Sequence, residues 1–139
     1  MSENDQLDRF IKYHELDYQK ALSEIRAGHK RSHWIWYIFP QLKGLGKSEY
    51  SCYFGLDGLE EAKSYYANET LRSHLREITQ ALLDLPEMDI QKIVPEIDAR
   101  KLKSSMTLFD VVSPDDIFAQ VLDRYFYGKR DGLTLSRLQ

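Results

Sequence analysis

The sequence predicts an all-α protein, folded as a single globular domain over residues 1–139 with about six or more helices. Apolar residues recur at the three- and four-residue spacing of helices, and glycine or proline follows most of these stretches. A hydrophobic content of 42% with 12% aromatic residues supplies enough material for a buried core. Short helices joined by tight turns cannot form a long parallel bundle, so we expect irregular packing.

In the first part of the chain, apolar spacing predicts a short helix around residues 7–11. It predicts a second helix over residues 16–27, which Gly28 ends. Residues 34–39 are aromatic and β-branched, which also suits a buried strand. We favour a helix there because Ser32 can cap it and no other segment offers a convincing partner strand.

Four further helices are predicted in the second part of the chain from capping residues and stop signals. They are one capped by Asp57, one from Thr70 to Pro86, one over residues 98–112, and one between the start signal at 113–116 and Gly128. The Thr70 helix has the clearest amphipathic rhythm, with leucine and isoleucine on one face until Pro86 ends it.

The net charge of −3 conceals a cationic region. No acidic residue lies between Glu24 and Glu49, whereas this interval contains Arg26, Lys30, Arg31, Lys43 and Lys47. One basic region on an otherwise acidic chain suits a compact anion better than a long nucleic-acid track. A solvated basic loop is the alternative interpretation.

Several classes of protein and site are disfavoured. No apolar run approaches the roughly 20 residues of a membrane span, and the polar start lacks a secretory signal, so we expect a cytoplasmic protein. Cys52 is the only cysteine, which excludes an internal disulfide and a thiolate zinc cluster. His29 and His33 have a spacing found in zinc sites, but Lys30 and Arg31 between them would repel a cation. We predict no metal and no cofactor.

The cationic region ends in Gly46-Lys47-Ser48, which resembles the end of a phosphate-binding loop. The complete motif requires a glycine where this chain has Gln41, so a nucleotidase loop is disfavoured. Two alternatives remain open. The segment is either a glycine-containing turn, or Lys47, Ser48 and free backbone N–H groups hold an anion without that fold.

The aromatic residues preceding this turn also have two interpretations. Trp34 and Trp36 can belong to the core, or one of them can stack on a planar ring whose phosphate is held nearby. Lys30 and His33 precede them in the chain, and His33 is suited to hydrogen bonding or acid–base chemistry.

A second informative segment covers residues 98–109. On a helix, Asp98, Lys101 and Ser105 project into the apolar arc, and Ser104 borders it. Polar groups that face a core must be paired or must line a cavity. Either Asp98 and Lys101 form an ion pair bonded to Ser105, or Lys101 faces a pocket, where it binds an anion or activates Ser104 or Ser105 as a nucleophile.

Three strings together resemble the domain-of-unknown-function 1810 family: GHKRSHWIWYIFPQLKGLGKS, the EA-x-x-YY near residue 61, and D-x-x-K-x-x-SSMTLF from Asp98. The resemblance runs from about Leu7 to Leu138. It implies a mainly helical bacterial domain without an established activity. Some family members carry a calpastatin label, but such inhibitors are flexible and proline-rich, whereas this chain has four prolines and abundant aromatic residues.

Two classes of function follow. The first is a small-molecule anion site, formed by residues 29–48 and 98–109, for a phosphate- or carboxylate-bearing ligand such as a nucleotide derivative; whether a reaction occurs there is left open. The second is a protein-interaction module with an exposed Trp/Tyr patch and no catalysis. We favour the first because polar residues on the 98–109 helix have no purpose in a flat patch. Its candidate residues are Lys30, His33, Trp34, Trp36, Gln41, Lys47, Ser48, Asp98, Lys101, Ser104 and Ser105.

Overall fold

The computed structural model describes the backbone from Glu3 to Gln139 and the side chains from Leu7 onward. Over this range the protein forms eight α-helices and one 3-10 turn, Ile90–Lys92. The helices are α1 (Glu3–Arg26), α2 (Ile35–Ile38), α3 (Glu49–Phe54), α4 (Leu59–Ala67), α5 (Glu69–Leu83), α6 (Glu96–Val112), α7 (Ile117–Phe126) and α8 (Gly132–Arg137). Residues 3–139 contain no strand, and Leu42 and Leu56 form an isolated parallel bridge. The predicted all-α class is confirmed.

The two helices predicted before Gly28 are one continuous helix, α1. The predicted break near residues 12–15 was wrong because no glycine or proline interrupts this part of the chain. His14 is buried there and continues the inward face between Phe10 and Tyr18. The predicted end is correct to within a residue, since α1 stops at Arg26 and Gly28 adopts a φ of 79°.

Two capping residues differ from those predicted. The cap of α5 is Asn68, whose side chain accepts a hydrogen bond from the N–H of Leu71, and Thr70 lies inside the helix. Helix α4 begins after Gly58, and Asp57 does not cap it with its side chain. The start signal at 113–116 operates as expected, because the Asp116 carboxylate accepts from the N–H of Ile117.

The segment after the cationic turn was not predicted to be helical. It forms α3, because the Ser48 hydroxyl accepts a hydrogen bond from the N–H of Ser51 at 3.1 Å and caps the helix. Helix α8 was also missed. It begins after Asp131, whose carboxylate accepts a hydrogen bond from the N–H of Thr134 at 3.0 Å and caps the helix. Both helices have six residues, too few for a hydrophobic period to be recognised.

Helix α6 is the element on which most others converge. It packs against α2, α4, α7 and α8, while α5 joins α1, α4 and α7. A single core of apolar side chains fills the space between them. Within residues 3–139, no helix is long and apolar enough to cross a membrane.

A buried pair of histidines links α1 to α5 beside this core. Nε2 of His14 lies 2.7 Å from the carbonyl oxygen of Tyr37, which can only accept, so Nε2 must carry the proton. In the neutral ring Nδ1 of His14 then accepts a hydrogen bond from Nδ1 of His74 at 2.9 Å. Burial, partly offset by the Tyr37 hydrogen bond and reinforced by His74, lowers the pKa of His14 to about 4.

We predict that stability falls as the pH drops from about 6.5 to about 4. In this window the unfolded chain protonates His14, whereas the folded protein keeps it neutral, so stability is complete above the unfolded pKa. One such histidine contributes a slope of about 1.4 kcal/mol per pH unit. Denaturant unfolding of wild type and His14→Gln at several pH values measures this slope, which the substitution should lower by about 1 kcal/mol per unit.

The matched control is His29→Gln, because His29 is exposed. Carboxylates with lowered pKa values, such as Glu24 and Asp116 at about 2, contribute stability that is lost as the pH falls through their unfolded pKa values near 4, so the slope due to His14 is read above about pH 5. An unchanged slope in His14→Gln would contradict this assignment.

Candidate functional site

The loop between α1 and α2 is organised by the carboxylate of Glu24. One oxygen accepts from the backbone N–H groups of Arg31 and Ser32 at 2.7 and 2.9 Å and from the indole N–H of Trp34 at 3.0 Å. The other accepts from the Ser32 hydroxyl at 2.6 Å. Burial raises the pKa of Glu24, but these hydrogen bonds outweigh burial and lower it to about 2.

This arrangement decides the roles of Ser32 and Trp34. The Ser32 hydroxyl is bonded to Glu24 and therefore does not cap α2, as the sequence suggested it would. Trp34 is completely buried and packs beside Phe39. Trp34 is therefore a core residue, the first of its two interpretations, and no face of its ring is open to a ligand.

Lys30 and Asp98 join the two segments that the sequence singled out. The Lys30 ammonium lies 2.7 Å from an Asp98 carboxylate oxygen, and their side chains are only 3% and 16% exposed. The same ammonium donates to the carbonyl of Ser32 and lies 4.6 Å from the centre of the Trp34 ring. The prediction that the segments meet is confirmed, but the partner of Asp98 is Lys30 and the alternative Asp98–Lys101 ion pair was wrong.

Lys101 is consequently a half-buried cation without a partner. Within residues 7–139, its ammonium makes no ion pair and no hydrogen bond. The hydroxyls of Ser104 and Ser105 are not bonded to it. Ser104 donates to the carbonyl of Arg100 at 3.2 Å, and the Ser105 hydroxyl is buried without a hydrogen-bond partner. No nucleophile activated by Lys101 is formed.

Lys101 lines two neighbouring cavities, and Gln41 lines both of them as well. The first is a pore of about 10 Å³, with Ile35, Trp36, Phe39, Ser51, Phe54 and Gly55 as its other walls. The second is an open depression of about 430 Å³ between the 41–46 loop, α6 and the start of α8. Its remaining walls are Leu45, Gly46, Ile97, Arg100, Lys103, Ser104, Asp131 and Leu133.

Two further hydrogen-bond donors at these cavities have no partner within residues 7–139. The indole N–H of Trp36 is buried and unbonded. Gln41 is 7% exposed, and its side-chain amide makes no hydrogen bond to the described residues. Buried donors are nearly always bonded in folded proteins, so the unbonded Trp36 N–H, next to the unpaired side chains of Lys101 and Gln41, is unusual.

Positive charge dominates the large depression. Arg100 and Lys103 stand beside Lys101 on α6, and Arg100 is engaged only in an exposed ion pair with Glu96 at 3.3 Å. The acidic residue of the wall, Asp131, already accepts from the N–H and hydroxyl of Thr134 at 3.0 and 2.6 Å. An anion in this depression would meet several cations and one engaged carboxylate.

The residues of the cationic turn lie differently from the α6 cluster. Ser48 caps α3, while Lys47 and His33 are exposed and line neither cavity. A phosphate-binding loop requires a strand before the turn, and residues 3–139 provide only the Leu42–Leu56 bridge. The glycine-containing turn of the first interpretation is present, with Gly44 at a φ of 96°, and the second, an anion held by Lys47, Ser48 and backbone N–H groups, stays a prediction.

A larger groove, about 720 Å³, lies elsewhere, between the 87–91 loop, α6 and the end of α7. Its wall mixes acidic and basic residues, namely Glu87, Asp89, Glu96, Arg100, Lys103 and Lys129. None of the buried unbonded atoms belongs to it. We therefore place the candidate site at the two cavities that Lys101 lines. They are smaller than this groove, but the unpaired hydrogen-bond donors lie there.

Sequence reasoning missed Arg100, Lys103 and Asp131. The helical projection places Arg100 and Lys103 away from the apolar arc. Arg100 is exposed as this indicates, but Lys103 is half-buried, because a loop and α8 build walls beside them. Their i, i+3 spacing next to Lys101 was the available signal. Asp131 caps α8, a helix that was not predicted.

The Lys30–Asp98 pair generates a stability prediction. Lys30→Met leaves the Asp98 carboxylate mostly buried without a counterion and should cost on the order of 3 kcal/mol, measured by denaturant unfolding. Asp98→Asn in the same chain should restore much of this loss. The matched control is Lys63→Met, which removes an exposed pair with Glu60 and should change stability by less than about 1 kcal/mol. Equal losses from the two single substitutions would contradict a structural role for Lys30.

Comparisons with known proteins assign the chain to a family. A family model described as "Protein of unknown function (DUF1810)" matches residues 4–138. The crystal structure of the conserved hypothetical protein Rv1873 from Mycobacterium tuberculosis is similar, with 37% sequence identity, a TM-score of 0.92 and coverage of 95% of each chain. No curated protein matches. Because the family model spans nearly the whole chain, this protein belongs to the DUF1810 family.

Proposed function

We propose that this protein binds a small phosphate- or carboxylate-bearing anion at Lys101 and Gln41, in the depression between the 41–46 loop, α6 and α8. The observation that carries the proposal is the half-buried side chain of Lys101, whose ammonium has no acidic partner in the described residues. Its expected partner, Asp98, is taken by Lys30. A cation withdrawn from water without compensation is costly, and an anionic ligand supplies that compensation.

The chemistry around Lys101 favours an anion over a neutral ligand. The ammonium of Lys101 and the indole N–H of Trp36 are donors only, and the two residues line the same pore. The Gln41 amide can contribute two more N–H groups. A phosphate or carboxylate offers several acceptor oxygens to such a set, and hydrogen bonds to a charged group are about twice as strong as neutral ones.

The large depression provides room for the remainder of such a ligand. Its volume of about 430 Å³ is within the range of small-molecule sites. Lys103 and Arg100 extend the positive surface along α6, and the Ser104 hydroxyl lies at the same wall. Lys30, Trp34 and Asp98 serve this site indirectly in our proposal, because they hold α6 against the 29–34 loop.

We propose binding and assign no reaction to the site. Nucleophilic catalysis needs a hydroxyl within hydrogen-bond reach of a base, and Ser104 instead donates to a backbone carbonyl. The alternative function, a protein-interaction module, is supported by the exposed rings of Tyr50 and Tyr53. We favour the anion site because an apolar patch gives Lys101 and Gln41 no partner.

The two tryptophans provide a direct readout of anion binding. Each gives one indole N–H signal in a ¹H–¹⁵N NMR spectrum, and Trp36→Phe assigns them. Titration with orthophosphate, and separately with citrate, should shift the Trp36 signal, because that N–H is unbonded. The Trp34 signal should stay in place, because its N–H already donates to Glu24. Movement of neither signal with either anion would overturn the proposal.

Lys101→Met should weaken the binding of the anion that gives the shift by about 10- to 100-fold, the factor expected for a lost charge-assisted hydrogen bond. The fold should be preserved, because the apolar stem is retained and an uncompensated cation is removed. Lys20→Met, at an exposed lysine of α1 that lines neither cavity, is the matched control. Unchanged affinity in Lys101→Met would contradict the site.

A further inference from the structure

The ring of Trp36 is half-buried and covered by a tyrosine on one side. Tyr50 stacks on Trp36 with ring centres 4.8 Å apart and planes inclined by 24°. Tyr50 is 56% exposed, and its hydroxyl makes no hydrogen bond within residues 7–139. Trp36 also lines the pore that contains Lys101 and Gln41. An aromatic platform therefore adjoins the unpaired donors.

The pore beside Trp36 holds about 10 Å³, which is room for one water molecule and not for a planar ring. A ring can lie on Trp36 next to Lys101 only if a side chain moves. The apolar walls Ile35, Phe39 and Phe54 are buried core residues. Tyr50 is not a wall of the pore; it covers one side of the Trp36 ring, is exposed and belongs to the six-residue helix α3.

We propose that the anion bound at Lys101 carries a planar aromatic ring, and that this ring takes the place of Tyr50 on Trp36. This inference rests on the proposed function and adds the class of ligand to it. Stacking on aromatic side chains tolerates many heterocycles, so the class is a ring-bearing phosphate or carboxylate, such as a nucleoside monophosphate.

We favour a ligand ring that replaces Tyr50 on Trp36 over a ligand ring that stacks on the outer face of Tyr50. A ring on the outer face of Tyr50 would lie one stacking layer farther from Trp36 and its unbonded N–H. A ring on Trp36 itself contacts the side chain that lines the pore together with Lys101. The contact that must break is the single stack of the exposed Tyr50 on Trp36, and one such aromatic contact contributes little free energy.

Adenosine 5′-monophosphate and ribose 5-phosphate test the ring, because they share a sugar phosphate and differ by the base. Calorimetric titration of the wild-type protein should give at least about tenfold tighter binding of the adenosine compound. Trp36→Leu should reduce its affinity to that of ribose 5-phosphate. Trp36→Phe, a milder change if the leucine variant folds poorly, should leave an intermediate preference.

The tyrosines of α3 separate displacement from simple stacking. Tyr50→Ala removes the competing ring and should tighten adenosine 5′-monophosphate binding about twofold to tenfold. Tyr53→Ala is the matched control, because Tyr53 is equally exposed, at 57%, and packs on Phe54. It should leave the affinity unchanged. Weaker or unchanged binding in Tyr50→Ala would overturn the displacement.

The outcomes also distinguish the two proposals. If both compounds bind with equal affinity and Lys101→Met weakens both, the ring is refuted and the anion site stands. If neither compound binds, and orthophosphate and citrate leave the Trp36 indole signal in place, the anion site fails and the inference fails with it.

Discussion

The ion pair between Lys30 and Asp98 is the constraint on which the rest of the site depends. It joins the loop after α1 to the first turn of α6, at 2.7 Å and almost out of contact with water. Glu24 holds the same loop through four hydrogen bonds and fixes Trp34 inside the core. The loop and the helix are thereby tied at one point. Because Asp98 is used there, Lys101, one turn further along α6, is left without a counterion.

The candidate residues therefore fall into two groups, those whose polar atoms are bonded to protein groups and those whose polar atoms are not. Lys30, Trp34 and Asp98 are engaged with protein groups and act as structure. Lys101, Trp36 and Gln41 are not, and they lie together at two adjoining cavities. A buried donor such as the Trp36 N–H is seldom left unbonded unless water or a ligand binds there. The missing partners of the second group are the physical reason to look for a ligand.

The sequence was sufficient for the fold class and for the two segments that meet. Helical periodicity is a local property, and proline and glycine mark where it stops, so α5, α6 and α7 were foreseen within a few residues. Short helices such as α3 and α8 lack a full period and were missed. The partner of Asp98 was mispredicted because two lysines were available, and the choice depends on tertiary packing that no local pattern encodes. The walls contributed by Asp131 and Leu133 were hidden for the same reason.

Crystallographic location of a bound oxyanion tests whether the unpaired cation Lys101 binds an anionic ligand. Tungstate is a phosphate analogue whose anomalous scattering reveals its position without ambiguity. We expect a peak within hydrogen-bond distance of the Lys101 ammonium and on the same side as Gln41. Tungstate bound at other cationic side chains, with the space beside Lys101 empty, would contradict it.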